Sequence, residues 1–118
     1  MELFHHIENG VCIILVEGDI NIFTVSKMRV DLTFILKQQK LKTLVLNLEE
    51  VPSVDSSGII LILTLYRELQ EQDVQLVLCQ VNDNIMRCFN KTQLDKIFRV
   101  SRRCECGEDC LQCLEGQA

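Results

Sequence analysis

Proline is nearly absent from this chain. Only Pro52 occurs in 118 residues, and no repeat or low-complexity stretch breaks the sequence, which excludes a proline-rich linker and reads as a single domain over residues 1–118. Long apolar runs are also missing. The most apolar stretch, Ile59 to Leu65, is followed at once by Tyr66, Arg67 and Glu68, whereas crossing a bilayer takes roughly 20 residues. No membrane span is expected. Basic clusters are absent too: the net charge is −5, the pI about 5.0, and Arg102-Arg103 is too short to form a patch. A nucleic-acid backbone is therefore an improbable partner. The opening residues MELFHHIENG lack a basic region followed by an apolar one, so no secretory leader is expected and the expected location is cytoplasmic.

What the chain does contain is an ordinary soluble composition and an unusual number of cysteines. A hydrophobic fraction of 47% beside 25% charged residues suits a globular core. Cys12, Cys79 and Cys88 sit apart in apolar or strand-like sequence and read as small buried hydrophobes. Cys104, Cys106, Cys110 and Cys113 crowd together near the C-terminus. Four thiolates can hold zinc or an iron–sulfur cluster, but the spacing Cys-x-Cys-x3-Cys-x2-Cys fits neither a paired Cys-x2-Cys zinc pattern nor a ferredoxin run. With an odd total and no leader, a disulfide framework is not expected. The expectation is no cofactor, with these four cysteines kept as metal or redox candidates.

Along the chain, strand and helix patterns alternate. Residues 2–7 and 11–17 read as strands joined by a turn at Glu8-Asn9-Gly10, because Asn-Gly is a strong hairpin signal. A helix follows over about 24–38, with Val25, Met28, Leu32, Ile35 and Leu36 at helical spacing. Residues 42–48 form a strand apolar almost throughout, as expected of one covered on both faces. A helix starts near Ser57. Then come a strand (74–81), a helix (82–91), a short strand (96–100) and a helix (about 108–114). Such alternation predicts right-handed crossovers and an α/β fold. The expected architecture is a mostly parallel central sheet of about five strands, with one antiparallel edge strand and about four helices. His5 and His6 are consecutive strand residues facing opposite ways, so joint metal ligation is not expected.

A small polar knot, Asp55-Ser56-Ser57-Gly58, separates the 42–48 strand from the apolar helix. Asp and Ser are strong N-caps, so the knot can simply start a helix. It also lies at the carboxyl end of a parallel strand, where such folds place functional groups, and Gly58 is expected to leave room beside the Ser56 hydroxyl. No histidine lies close in sequence to act as a base, so Ser56 does not read as a nucleophile. The helix beyond is apolar around most of its circumference, which favours an interaction surface along it.

Four segments carry a family resemblance: GDIN (18–21), LVLNLEEVPSVDSSGI (44–59), VQLVLCQVNDNIMRCFN (74–90) and LDKIF (94–98). Together they resemble a STAS domain, specifically the anti-sigma-factor antagonist family, over nearly the whole length. The family pattern has a Gly-x-Leu-Asp turn, an Asp-Leu strand end, Asp-Ser-Ser/Thr-Gly-Leu opening a helix, and a Leu-x-x-Ile/Leu-Phe close. The resemblance implies that Ser56 is phosphorylated by a partner anti-sigma factor that is also a serine kinase. A phosphatase would reverse this. Asp55, Ser57, Gly58, Asn21, Phe23 and Ile59 would share the partner surface with Ser56, and Ser57 would also be the helix N-cap. The sequence departs from the pattern where Asn21 and Asn47 replace aspartates, at strand ends expected to surround Ser56, and where Gln93 replaces a glycine. The implied role is a regulatory binding module rather than an enzyme. The alternatives are a STAS adaptor without a phosphorylation cycle, and a metal or redox sensor built on the C-terminal cysteines.

Overall fold

A computed structural model of the chain describes residues 1–38 and 40–101. Strands β1 (Glu2–Glu8) and β2 (Val11–Glu17) form the expected hairpin. Glu8 pairs with Val11 across a two-residue turn in which Asn9 and Gly10 take φ of 53° and 80°. Positive φ at both positions gives a turn whose twist matches that of the strands, and Asn and Gly tolerate it best.

Helix α1 (Val25–Leu36) leads to β3 (Thr43–Glu50), α2 (Ser56–Glu71) to β4 (Gln75–Cys79), and α3 (Asp83–Thr92) through a 3-10 turn (Leu94–Lys96) to β5 (Arg99–Ser101). The last strand starts later than the sequence suggests because Lys96 closes the 3-10 turn. The sheet order is β1-β2-β3-β4-β5, antiparallel only between β1 and β2. The described residues contain three α-helices. The fourth, expected near 108–114, and the four C-terminal cysteines lie outside them.

Each crossover steps one strand in the same direction. Right-handed connections then place every helix on one face of the sheet. The core follows suit: Met28, Leu32 and Ile35 of α1, Ile62, Leu65 and Leu69 of α2, and Ile85 and Phe89 of α3 join Ile14, Leu44, Leu46, Leu48 and Leu78 in one cluster. Each such fully buried side chain stabilises the fold by about 1.5–3 kcal/mol. Alternate residues form a second, smaller cluster on the other face, where Val45, Val77 and Cys79 are buried beside Val11 and Ile13. The apolar run of β3 thus reflects burial on both sides, Val45 being only 1% exposed. Cys12 and Cys79 are buried as expected, whereas Cys88 is half-buried. Burial pushes the Cys12 thiol up from 9.0 to about 11, which keeps it protonated and inert at neutral pH. Among the described residues no helix is long and apolar enough to cross a membrane.

Candidate functional site

The loops leaving β2 and β3 are strapped together, and this strapping positions the polar knot. Gly18 N donates to Glu50 O at 3.0 Å, and Ile20 N donates to Ser53 O at 3.1 Å. Asp55 N donates back to Ile20 O at 3.0 Å, so Ile20 and Val54 form an isolated parallel bridge beyond the strand ends. The Ser53 hydroxyl donates to Asp19 Oδ1 at 2.9 Å. From the other side, Asn82 Nδ2 donates to Val51 O at 3.0 Å and Pro52 O at 3.2 Å. Nearly every residue of the 51–55 loop is thereby held from outside the loop.

Asp55, not Ser57, caps α2. Its backbone is extended, and its Oδ1 accepts from Gly58 N at 3.0 Å. Its Oδ2 accepts from Ile22 N at 3.2 Å. A carboxylate has two oxygens and no donor, so it can satisfy a helix amide and a loop amide together; a serine hydroxyl at the cap could not span both as effectively. Ser56 therefore becomes the first helical residue and Ser57 the second. Ser56 is exposed, Ser57 half-buried, and the Ser56 hydroxyl makes no hydrogen bond among the described residues.

Gly58 serves packing, which differs from the expectation that it clears space for the serine. It is buried, and a Cβ placed there would lie 2.7 Å from Ile20 O, Ile20 Cγ2 and Val54 Cγ1. The first turn of α2 can approach the Ile20–Val54 bridge only because position 58 has no side chain.

Of the two asparagines expected around Ser56, Asn21 stands between Ile20 and Ile22, whose backbone groups both bond Asp55. Asn21 lies in the strapped β2–α1 loop, where its Oδ1 accepts from Phe23 N at 2.9 Å, and Thr24 Oγ1 donates to Asp19 O at 2.7 Å. Asn47 is on β3 between Leu46 and Leu48, both on the helix side, so strand alternation turns it to the opposite face. Its Oδ1 accepts from Glu49 N at 3.0 Å. Asn47 thus does not line the surroundings of Ser56.

The loop geometry leaves apolar side chains in solvent beside the serine. Phe23 is 91% exposed and Ile22 64%, while Ile60, four residues past Ser56 on the same helix face, is 63% exposed. Ile59 is half-buried and packs against the core. Ile60 belongs to the apolar helix that the sequence already favours as an interaction surface, whereas nothing in the sequence pattern singles out Ile22. Two carboxylates belong to the same strapped loops and are exposed: Asp19, which accepts from the Ser53 hydroxyl, and Asp55, which accepts from Ile22 N and Gly58 N. His5 and His6 are far off on β1, and strand alternation points them to opposite faces.

Residues 5–105 match the STAS domain family model. The chain is 26% identical over 100 residues to an anti-sigma F factor antagonist of Paenibacillus polymyxa, covering 85% of this chain and 84% of that protein. It is 30% identical over 90 residues to an anti-sigma-B factor antagonist of Staphylococcus aureus, covering 76% and 82%. Among solved structures, a putative anti-sigma factor antagonist from Thermotoga maritima superimposes with a TM-score of 0.82 at 18% identity, covering 97% of this chain and 92% of the other. The Bacillus cell fate determinant SpoIIAA in its phosphorylated form gives 0.64 at 20% identity, covering 84% and 90%. The chain belongs to the STAS domain family, among the relatives of anti-sigma-factor antagonists.

Proposed function

We propose that this chain is an anti-sigma-factor antagonist of the cytoplasm, a binding module rather than an enzyme, that docks an anti-sigma factor at the start of α2. In this reading the partner is also a serine kinase, and it ends the interaction by phosphorylating Ser56; a phosphatase restores it. The carrying observation is the Ser56 hydroxyl, held in solvent by a rigid loop and flanked by the exposed side chains of Ile22, Phe23 and Ile60. The names of the curated relatives support the same reading.

The switch follows from charge. A phosphoserine carries about −1.5 to −2 charges at neutral pH. At the first turn of α2 that charge meets the positive end of the helix dipole and leaves the fold intact. The partner, however, would have to desolvate a dianion next to the carboxylate of Asp55 and in the loop cluster that holds Asp19. Repulsion and desolvation there weaken binding by several kcal/mol. The adaptor reading draws on Asn21, whose side chain contributes no charge and is taken up by the Phe23 amide. Intact mass after incubation with the cognate kinase and ATP separates the two. A gain of one phosphate, abolished by Ser56→Ala, is the expected result. No gain with a kinase that is active on another antagonist would overturn the switch in favour of the adaptor.

A further inference from the structure

The sheet face turned away from the helices is dry, although among the described residues all three α-helices pack on the other face, against Leu44, Leu46, Leu48 and Leu78. Strand alternation sends Val45, Val77 and Cys79 to the far face, yet within the single chain they are only 1%, 3% and 2% exposed. Neighbours in a sheet touch a side chain's flanks and leave its tip open. A sheet face becomes dry when another layer packs on it, about 10 Å away. The dryness fades toward the hairpin. Val11 and Ile13 of β2 are half-buried. Phe4 of β1 pairs with Leu15, so it shares this face, and it is 53% exposed. The cover therefore lies over β3 and β4 and reaches them from the β5 side. The chain leaves the sheet on that side, because Ser101, the last residue of β5, pairs with Cys79. The sequence beyond it is two-sided. At helical spacing Cys110, Leu111, Cys113 and Leu114 share one face, and Glu108, Asp109, Gln112 and Glu115 the other. Strands lie about 4.8 Å apart, which puts β3 about 10 Å from β5, and residues 102–107 can span up to about 20 Å.

We propose that the chain's own C-terminal segment, residues 102–118, docks across this far face and sets Leu111 and Leu114, with Cys110 and Cys113, against Val45, Val77 and Cys79. In that role Cys110 and Cys113 fill space as small apolar groups, and the four polar residues face solvent. The docking face lies across the sheet from α2, so the inference stands independently of Ser56. Nuclear Overhauser contacts between methyl groups of the full chain test it directly. Val45 and Val77 should each show contacts to Leu111 or Leu114. Their absence, with the contacts of Leu44 and Leu46 to the helices intact, would overturn the proposal. Alkylation by iodoacetamide, mapped by peptide mass, gives a second readout. Leu111→Asp with Leu114→Asp should speed the labelling of Cys79 at least about tenfold. Cys12, buried on the helix face, should stay protected. A Cys79 equally protected in parent and variant would overturn the proposal. So would protection of Cys79 in the parent that falls on dilution, since that assigns the cover to a second copy. If Cys12 opens as well, the variant has unfolded and the methyl contacts of the parent decide.

Discussion

Helices α2 and α3 both start just past the carboxyl end of a parallel strand, and both are capped by a side-chain oxygen that accepts the amide three residues on. Asp55 accepts from Gly58 and Asn82 from Ile85, at 3.0 and 2.9 Å. Beyond that shared cap they diverge. Asp55 has a second oxygen, so its other tie is to a donor, the Ile22 amide. Asn82 has an NH2 group, so its other ties are to acceptors, the carbonyls of Val51 and Pro52. The third helical position is inverted as well: Gly58 has no side chain and touches the Ile20–Val54 bridge, whereas Ile85 is 1% exposed and fills the core. One start is built to hold a loop and present a residue. The other is built to close the core.

The inversion predicts opposite responses to side-chain size. Ile85→Ala removes buried volume and should destabilise by about 3 kcal/mol. Gly58→Ala adds a methyl group, which in an ordinary helix interior stabilises by about 1 kcal/mol. Here the added carbon would meet a carbonyl oxygen at 2.7 Å, and backbone cannot move aside as a side-chain tip can, so a net loss of about 2 kcal/mol is expected. Urea denaturation of both variants checks the pair. A stabilised Gly58→Ala protein would mean that the close approach to Ile20 is not real.

Exchanging the cap residues separates the second ties from the caps. Asn82→Asp keeps the acceptor for Ile85 but turns a carboxylate toward two carbonyls, at an expected cost of about 1.5 kcal/mol. Asp55→Asn keeps the bond to Gly58 and sets an NH2 group against the Ile22 amide. Asp55 is exposed, so water compensates in part and about 1 kcal/mol is expected. Hydrogen exchange should show the Ile22 amide opening faster in Asp55→Asn and unchanged in Asn82→Asp.

The sequence reading reached the elements and their order because their periodicities are local: Asn9-Gly10 for the hairpin, the 3.6-residue spacing of Met28, Leu32 and Ile35, the apolar run of β3. It located the knot and mistook its parts. Asp55, Ser56 and Ser57 are all good N-caps, and what selects Asp55 is the Ile22 amide, 33 residues away in sequence. The role of Gly58 was hidden for the same reason, since the atoms it touches belong to Ile20 and Val54. Asn47 was misplaced by counting from a strand end rather than by alternation with Leu46 and Leu48. Gln93 stands out in the sequence only as a departure from the family pattern, yet it occupies a left-handed conformation, φ 60° and ψ 21°, at the end of α3.

That conformation extends the comparison to the other end of the helices. Helix α2 stops at Gln72 with φ −98°, which any residue adopts, whereas α3 stops at Gln93 in a region that crowds a Cβ. Gln93→Gly should therefore stabilise by about 1 kcal/mol, while Gln72→Gly should destabilise slightly by loosening the unfolded chain. Thermal melts of the two variants should move in opposite directions.

The smallest expected change in stability belongs to the residue on which the proposed function depends most. Ser56→Glu puts a negative charge at the first helical position, where the helix dipole favours it by about 0.3–1 kcal/mol. The side chain is exposed and no packing opposes it, so the variant should be as stable as the parent or slightly more so. The same charge lies next to the Asp55 carboxylate and faces the partner, and binding to the anti-sigma factor should fall by at least about tenfold. Ser56→Ala should keep binding and lose phosphorylation. A variant that gains stability while losing affinity separates presentation of the site from maintenance of the fold. If Ser56→Glu instead unfolded the protein, position 56 would belong with 58 among the packed residues, and the contrast between the two helix starts would disappear.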